Sequence, residues 1–231
     1  MRYNEFNQPI GDALENFTPG SWPNITTLEG DLVRVEKLSE RHTKDLYEFY
    51  GPSGKPEYLT YLFVDDLFQD YESFEQEIRE RMESKTFYHL TIIDKASGKA
   101  VGNFALMRIN PEHRVIEMGS VYYSSEFKRT RQATEAQFLV MQYVFETLKY
   151  RRYEWKCDHL NAASRRAALR LGFTFEGIFR NAVVYKGRTR DTAWFSMLDS
   201  EWEEKKKRLQ TWLSDDNFDE NGCQKKSLND M

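Results

Sequence analysis

The residues best placed to do chemistry in this sequence lie between Glu117 and Ala136. The run Glu117-Met118-Gly119-Ser120-Val121-Tyr122-Tyr123 reads as a strand. The polar, basic loop Ser124 to Arg131 follows, and a helical pattern starts at Arg131. A strand-to-helix junction aims unpaired backbone N–H groups, and the positive end of the helix dipole, at whatever fills the loop. Phosphate or pyrophosphate is the natural ligand of such a place. Lys128, Arg129 and Arg131 add positive charge there. The loop has neither the GxxxxGK[ST] of a phosphate-binding P-loop nor the GxGxxG of a dinucleotide fold. The same pattern also fits a solvated basic loop, and spacing alone does not separate the two.

Other candidates are less specific. Asn161 stands where it can cap a helix over 161–171 that Gly172 stops, and Ser164 falls in the first turn of that helix, where serine commonly bonds backbone. Cys157 and Cys223 lie far apart, outside any CxxC or Cys/His cluster. Neither a disulfide framework nor a metal site is expected, and the usage fits a reducing compartment. Cys157 reads as a small buried hydrophobe. His89 and His113 read as structural or solvated, and Arg151-Arg152 and Arg165-Arg166 as solvated faces or phosphate contacts. The aromatic stretch Tyr58 to Tyr71 fits either core or an amine pocket built on cation–π contact. Asp65 and Asp66 would attract a cation.

The elements that must carry these residues follow from periodicity. Strands are expected over 31–38, 87–93, 100–109, 115–123, 153–157, 173–185 and 189–198. Helices are expected over 40–50, 71–82, 131–149, 161–171 and 201–213. The order makes a mixed α/β sheet with helices on its faces. Residues 1–30 hold Pro9, Pro19, Pro23, Gly11, Gly20 and Gly30, the composition of an extended arm, with Phe17 and Trp22 as its anchors. Residues 214–231 are polar and acidic, the composition of a disordered tail. Hydrophobic residues at 40% suffice for one packed domain, 31–213, and the net charge of −4 gives no global pull toward nucleic acid. The first residues carry no apolar signal region, and no apolar run is long enough to span a membrane, so the expected address is cytoplasmic, with the nucleus open.

In order and spacing, several short motifs resemble the GNAT superfamily of N-acetyltransferases, in the branch of the Rim-type ribosomal-protein N-acetyltransferases. The family's pyrophosphate signature is Arg or Gln, two residues, Gly, one residue, then Gly or Ala. The matching run is Lys128-Arg129-Thr130-Arg131-Gln132-Ala133, leading into Thr134-Glu135-Ala136. Asn161-Ala162-Ala163-Ser164, Leu171-Gly172-Phe173, Arg190-Asp191 and Trp194-Phe195-Ser196 are similar to later family motifs. The likeness covers 28–202. Arg131 replaces the central glycine, which normally lets backbone approach pyrophosphate without a Cβ. The expectation is that Arg131 keeps an ordinary backbone there, or shifts the loop, and bonds phosphate through its guanidinium.

The resemblance implies a mostly antiparallel sheet of about six to seven strands with helices on both faces, whose splayed central strands leave the edge Val121, Tyr122, Tyr123 for the pantetheine arm of acetyl-CoA. It implies cofactor contacts at Lys128, Arg129, Thr130, Arg131, Gln132, Ala133, Thr134 and Asn161. It implies Glu117 as a carboxylate base. The tyrosine acid common in the family is replaced by Ala168, which leaves Ser164 beside the sulfur. The implied activity is direct acetyl transfer from acetyl-CoA to a primary amine, of a protein N-terminus or a small molecule, with no metal, by a monomer or homodimer. The alternative is a GNAT-fold module that binds acyl-CoA or a partner without turnover. Glu117 and Ser164 can serve one reaction only if both border one cavity.

Overall fold

Val33 and Val35 alternate with Arg34 and Glu36, and both valines are fully buried. That period of two makes β4 (Val33–Lys37) a half-buried strand, and the same logic runs through the sheet. In the computed structural model, which describes residues 1–231, a two-stranded ribbon pairs β1 (Arg2–Tyr3) with β2 (Pro9–Ile10). The main sheet holds β3 (Thr27–Glu29), β4, β5 (Phe87–Asp94), β6 (Ala100–Asn110), β7 (Val115–Tyr123), β8 (Arg152–Asp158), β9 (Thr174–Tyr185) and β10 (Arg188–Leu198). Their spatial order is β3-β4-β5-β6-β7-β8-β10-β9. The sheet therefore has eight strands, one more than the upper expectation of seven. The extra strand is β3, hidden in sequence among the prolines and glycines of the arm. Every pairing is antiparallel except β7 with β8.

Helices cover both faces. On one face, α1 (Thr43–Tyr50) and α2 (Tyr71–Glu83) pack Leu46, Tyr50, Phe74 and Ile78 against Leu38, Ile93, Ala100 and Tyr122. On the other, α3 (Arg131–Gln142), α4 (Ala162–Leu171) and α5 (Asp199–Leu213) cover Ile116, Met118, Tyr153, Trp155, Cys157, Phe195 and Met197. The expected long helix after Arg131 leaves α-geometry at Tyr143, where a π-turn runs to Thr147. Gly172 ends α4 at φ 102°, a left-handed stop that glycine adopts freely.

Residues 1–30 are held by Ile25, which is 2% exposed, and by the bonds Gly20 N–H to Pro111 O and Tyr150 O–H to Ser21 O. Of the two expected anchors, Phe17 sits against the Arg114 and Arg151 guanidiniums, whereas Trp22 is 44% exposed. Residues 214–231, expected to be disordered, instead fold back on the domain. Leu228 is fully buried in the main core, Trp212 Nε1–H donates to Gln224, and Asn217 Nδ2–H donates to Trp212 O and Lys226 O. A few well-spaced apolar residues suffice to dock a segment whose average composition is polar.

Candidate active site

The parallel pairing of β7 with β8 covers only Val115↔Arg152, Ile116↔Tyr153, Glu117↔Glu154 and Met118↔Trp155. Beyond Met118 the strands part. The edge Gly119 to Tyr123 then has no strand neighbour on that side, while β8 runs on to Asp158 beside β10. A cleft of about 2970 Å³ passes this gap and is lined from both faces of the sheet. All thirteen expected site residues border it: Glu117, Val121, Tyr122, Tyr123, Lys128 to Thr134, Asn161 and Ser164.

The edge carries a local distortion. Ala105 pairs with Gly119 and Asn103 with Tyr122, so two residues of β7, Ser120 and Val121, oppose one of β6. Ser120 takes φ 50° there. This bulge reverses the alternation. Tyr122 turns toward α1 and α2, donating to Phe49 O at 3.1 Å, while Tyr123 turns toward α3 and accepts from Gln137 at 2.6 Å. The phenols are thus engaged in packing, and it is the backbone that faces the gap.

The loop before α3 is a run of unused donors. Thr130 caps the helix, its Oγ1 accepting from Ala133 N–H at 3.1 Å and donating to Phe127 O at 2.8 Å. The backbone N–H groups of Arg129, Thr130, Arg131 and Gln132 have no acceptor in the chain. Four successive free N–H groups at a helix start form an anion cradle. Arg131 has an ordinary backbone, as expected. The left-handed residue is Arg129, at φ 66°, a conformation that costs a non-glycine residue about 1–2 kcal/mol.

Two side-chain expectations are corrected here. The Arg131 guanidinium does not reach toward phosphate. It donates from Nε to Leu213 O at 3.1 Å and from Nη2 to Asp215 at 2.7 Å, and lies over Phe218. Lys128 extends over the Tyr58 ring, and burial, with Lys55 nearby, pushes its ammonium down to about 8. Only Arg129 leaves an exposed, uncommitted cation on the loop.

Glu117 is 1% exposed, with Oε2 at 3.0 Å from Lys156 Nζ and 3.2 Å from Arg108 Nε. Burial raises its carboxyl above the ordinary value, and the two cations oppose that rise without cancelling it. Arg108 and Lys156 both lie on Trp194, at 5.1 and 4.9 Å from its ring centre. Ser164 sits elsewhere. Its N–H donates to the Asn161 cap at 3.0 Å, and its Oγ accepts from Trp155 Nε1 at 3.0 Å. Trp155 and Cys157 belong to the α3 face, whereas Glu117 and Lys156 alternate to the α1 face. The two carboxyl and hydroxyl candidates therefore project from opposite faces of the sheet, and only the opening between β7 and β8 joins them. Cys157 is buried, which pushes its thiol up and keeps it protonated.

The sequence alone gives no role to Arg108, Lys156 or Thr192, and marks Trp194 only as part of a family-like motif. Their signal was available in part. Arg190, Thr192 and Trp194 alternate along one strand and must share a face. The partners they meet across the sheet have no local signature.

His89 also lines the cleft, with Nδ1 buried and unpartnered. Burial and the Arg81 charge push it down from 6.5 to about 4. The unfolded chain therefore binds the extra proton between those values. Stability is expected to fall as pH drops from 6.5 through 4, by about 3 kcal/mol from this one group. The drop in urea midpoint from pH 7 to pH 4.5 should be smaller in His89→Gln than in the parent; an equal drop in both would show that His89 does not set this dependence.

Comparison with known proteins agrees with this geometry. The family model of the acetyltransferase (GNAT) domain matches residues 33–174. No curated protein matches the chain. A GCN5-related N-acetyltransferase from Brucella melitensis is 47% identical over 94% of this chain and 98% of its own, with a TM-score of 0.90. A probable GNAT-family acetyltransferase from Chromobacterium violaceum ATCC 12472 is 35% identical over 85% and 98%, with a TM-score of 0.78. The microcin C7 self-immunity acetyltransferase MccE, solved with acetyl-CoA and AMP, shares the fold at 20% identity over 73% and 93%, with a TM-score of 0.66. With the matched domain spanning most of the chain, this protein belongs to the GNAT acetyltransferase family.

Proposed function

We propose that the chain transfers acetyl from acetyl-CoA directly to a primary amine in a ternary complex that threads the sheet. The observation that carries this reading is the gap between β7 and β8, with a free strand edge on one side and an anion cradle at the α3 start. Acetyl-CoA is the family's co-substrate, and these features fit it: four free N–H groups for its diphosphate, and an unpaired strand edge for its amide-bearing arm. It supplies the activated acyl group as a thioester.

The chain's own residues divide the remaining work by face. The cradle and Arg129 hold the phosphates on the α3 side. The Ser120–Val121 bulge offers a backbone N–H without a strand partner, placed to bond a developing oxyanion. Glu117, on the α1 side, accepts the amine proton directly or through water, its raised pKa suiting that task. Ser164, on the α3 side, accepts from Trp155 and lies beside the Cys157 thiol; its O–H is the group placed to protonate a departing thiolate.

The test is release of free CoA thiol from acetyl-CoA in the presence of a panel of small amines and peptide N-termini. Amine-dependent release supports the reading. Tight acetyl-CoA binding with no release from any amine would favour the non-turnover module instead.

The two loop arginines separate cleanly. Arg129→Ala is expected to weaken CoA binding by about 1–3 kcal/mol, the range of a charge-assisted phosphate bond. Arg131→Ala is expected to act elsewhere, freeing Leu213 O and Asp215 and exposing the 214–231 segment to protease. CoA affinity measured by calorimetry, beside limited proteolysis, checks both; an Arg131→Ala loss as large as that of Arg129→Ala, with no new cleavage, would contradict the assignment.

A further inference from the structure

Most cations on the α1 side of the cleft have a partner in the chain. Arg108 and Lys156 are held by Glu117, and Arg81 by Glu77. Arg190 is 5% exposed and takes part in no ion pair. Its Nε has no hydrogen-bond partner. The guanidinium rests against Phe63 and Tyr185, at 5.4 and 5.7 Å from their ring centres. The neighbouring acid, Asp158, is already taken by Tyr185 O–H at 2.6 Å and Leu160 N–H at 2.8 Å.

Arg190 does not stand alone. Thr192 is 3% exposed with an unpartnered Oγ1, and Trp194 has a buried, unpartnered Nε1. The three alternate along β10, on the face that carries Glu117 and Lys156, and all three border the cleft. Buried polar groups are normally satisfied, and an unpaired buried charge is costly. A row of a guanidinium, a hydroxyl and an indole N–H, none of them used within the chain, forms a recognition surface for an anion that arrives from outside.

We propose that the acceptor is a small amine that also carries an acid group, a carboxylate or a phosphate, held by Arg190 with Thr192 and Trp194 while its amine faces Glu117. This rests on the acetyl-transfer reading for the amine end, but the anion site stands on its own residues. It excludes simple alkyl amines and polyamines as preferred acceptors. It adds an acid to the cationic acceptor that Asp65 and Asp66 are expected to attract.

The experiment uses matched pairs that differ only in the acid: 6-aminohexanoate with hexylamine, phenylalanine with phenethylamine, and phosphoethanolamine with ethanolamine. Binding of each is measured by calorimetry on the full chain loaded with CoA, and thiol release is measured with acetyl-CoA. The expected result is that at least one acid binds about tenfold or more tightly than its acid-free partner, the span of one charge-assisted contact. The carboxylate and phosphate arms show which acid is meant. Arg190→Gln should abolish that preference, Arg190→Lys should keep part of it, and Thr192→Val should reduce it in a chain that retains Arg190. Acid-free amines binding as well as their acid-bearing counterparts would overturn the proposal, as would no binding in any pair. A preference that survives in folded Arg190→Gln, verified by unchanged CoA binding, would overturn it too. Acids that bind through Arg190 without thiol release would leave the anion site standing and fail the acetyl-transfer reading instead.

Discussion

Glu117→Gln is expected to lower kcat/KM for acetyl transfer by about 10²-fold or more, the usual contribution of a positioned general base. Glutamine keeps the size and one acceptor oxygen but cannot take a proton. The parent's acid limb should lie above the ordinary carboxylate range, because burial raises this group more than Lys156 and Arg108 lower it. That limb should disappear in the variant. The structural consequences are limited but real. Lys156 loses its 3.0 Å partner and Arg108 its 3.2 Å partner, although Arg108 also lies 4.0 Å from Glu154. CoA affinity, set on the other face at the α3 start, should be unchanged. A variant that keeps the parent's rate and pH profile would remove Glu117 from the chemistry and leave it as an anchor for two cations.

Glu135→Ala carries the largest expected loss of stability. Glu135 is 7% exposed on α3, and its carboxylate accepts three backbone N–H groups: Asp31 at 2.9 Å, Leu32 at 2.9 Å and Val33 at 2.8 Å. These tie the start of β4 to the helix whose N-terminus forms the anion cradle. Removing the carboxylate strands three backbone donors, one of them buried and two partly buried, and each stranded buried group costs about 1–3 kcal/mol. Partial relaxation brings the expected total to about 3–5 kcal/mol. Glu135→Gln should lose less, because an amide oxygen can still accept. The site also explains Gly30, where an added Cβ would fall 2.7 Å from the Glu135 carboxyl carbon. Urea unfolding should therefore rank the parent above Glu135→Gln and Glu135→Ala last. If Glu135→Ala unfolds within 1 kcal/mol of the parent, roughly the cost of one ordinary surface change, the strand–helix tie is not structural.

Much of what positions the site was legible in sequence because it is local. The cap at Asn161, the stop at Gly172 and the strand-loop-helix run from Glu117 each depend on residues within a few positions of one another. The family signature could be read at Lys128 to Ala133 despite the missing glycine, since the backbone there is ordinary at Arg131 and the strain moves to Arg129. What was not legible depends on distance. The Arg131 side chain is captured by Leu213 and Asp215, 82 and 84 residues away. Nothing near Arg131 announces this. The bulge at Ser120 changes which face Tyr122 presents, and serine is not a residue that marks a left-handed turn. The opposite faces of Glu117 and Ser164 follow from the alternation along β7 and β8 and from α4 lying on the α3 side. The 214–231 segment was misread because average polarity outweighed three spaced anchors, Asn217, Phe218 and Leu228.

Whether the cradle and the open strand edge hold acetyl-CoA is decided by calorimetric titration of the full chain with acetyl-CoA, CoA and ATP. Acetyl-CoA and CoA are expected to bind with Kd on the order of micromolar, about −8 kcal/mol, more weakly in Arg129→Ala, and ATP, which has the phosphates but nothing to pair with the edge of β7, is expected to bind much more weakly. Equal affinity for ATP would show a bare phosphate site, and no binding of either CoA species by the folded chain would contradict the account.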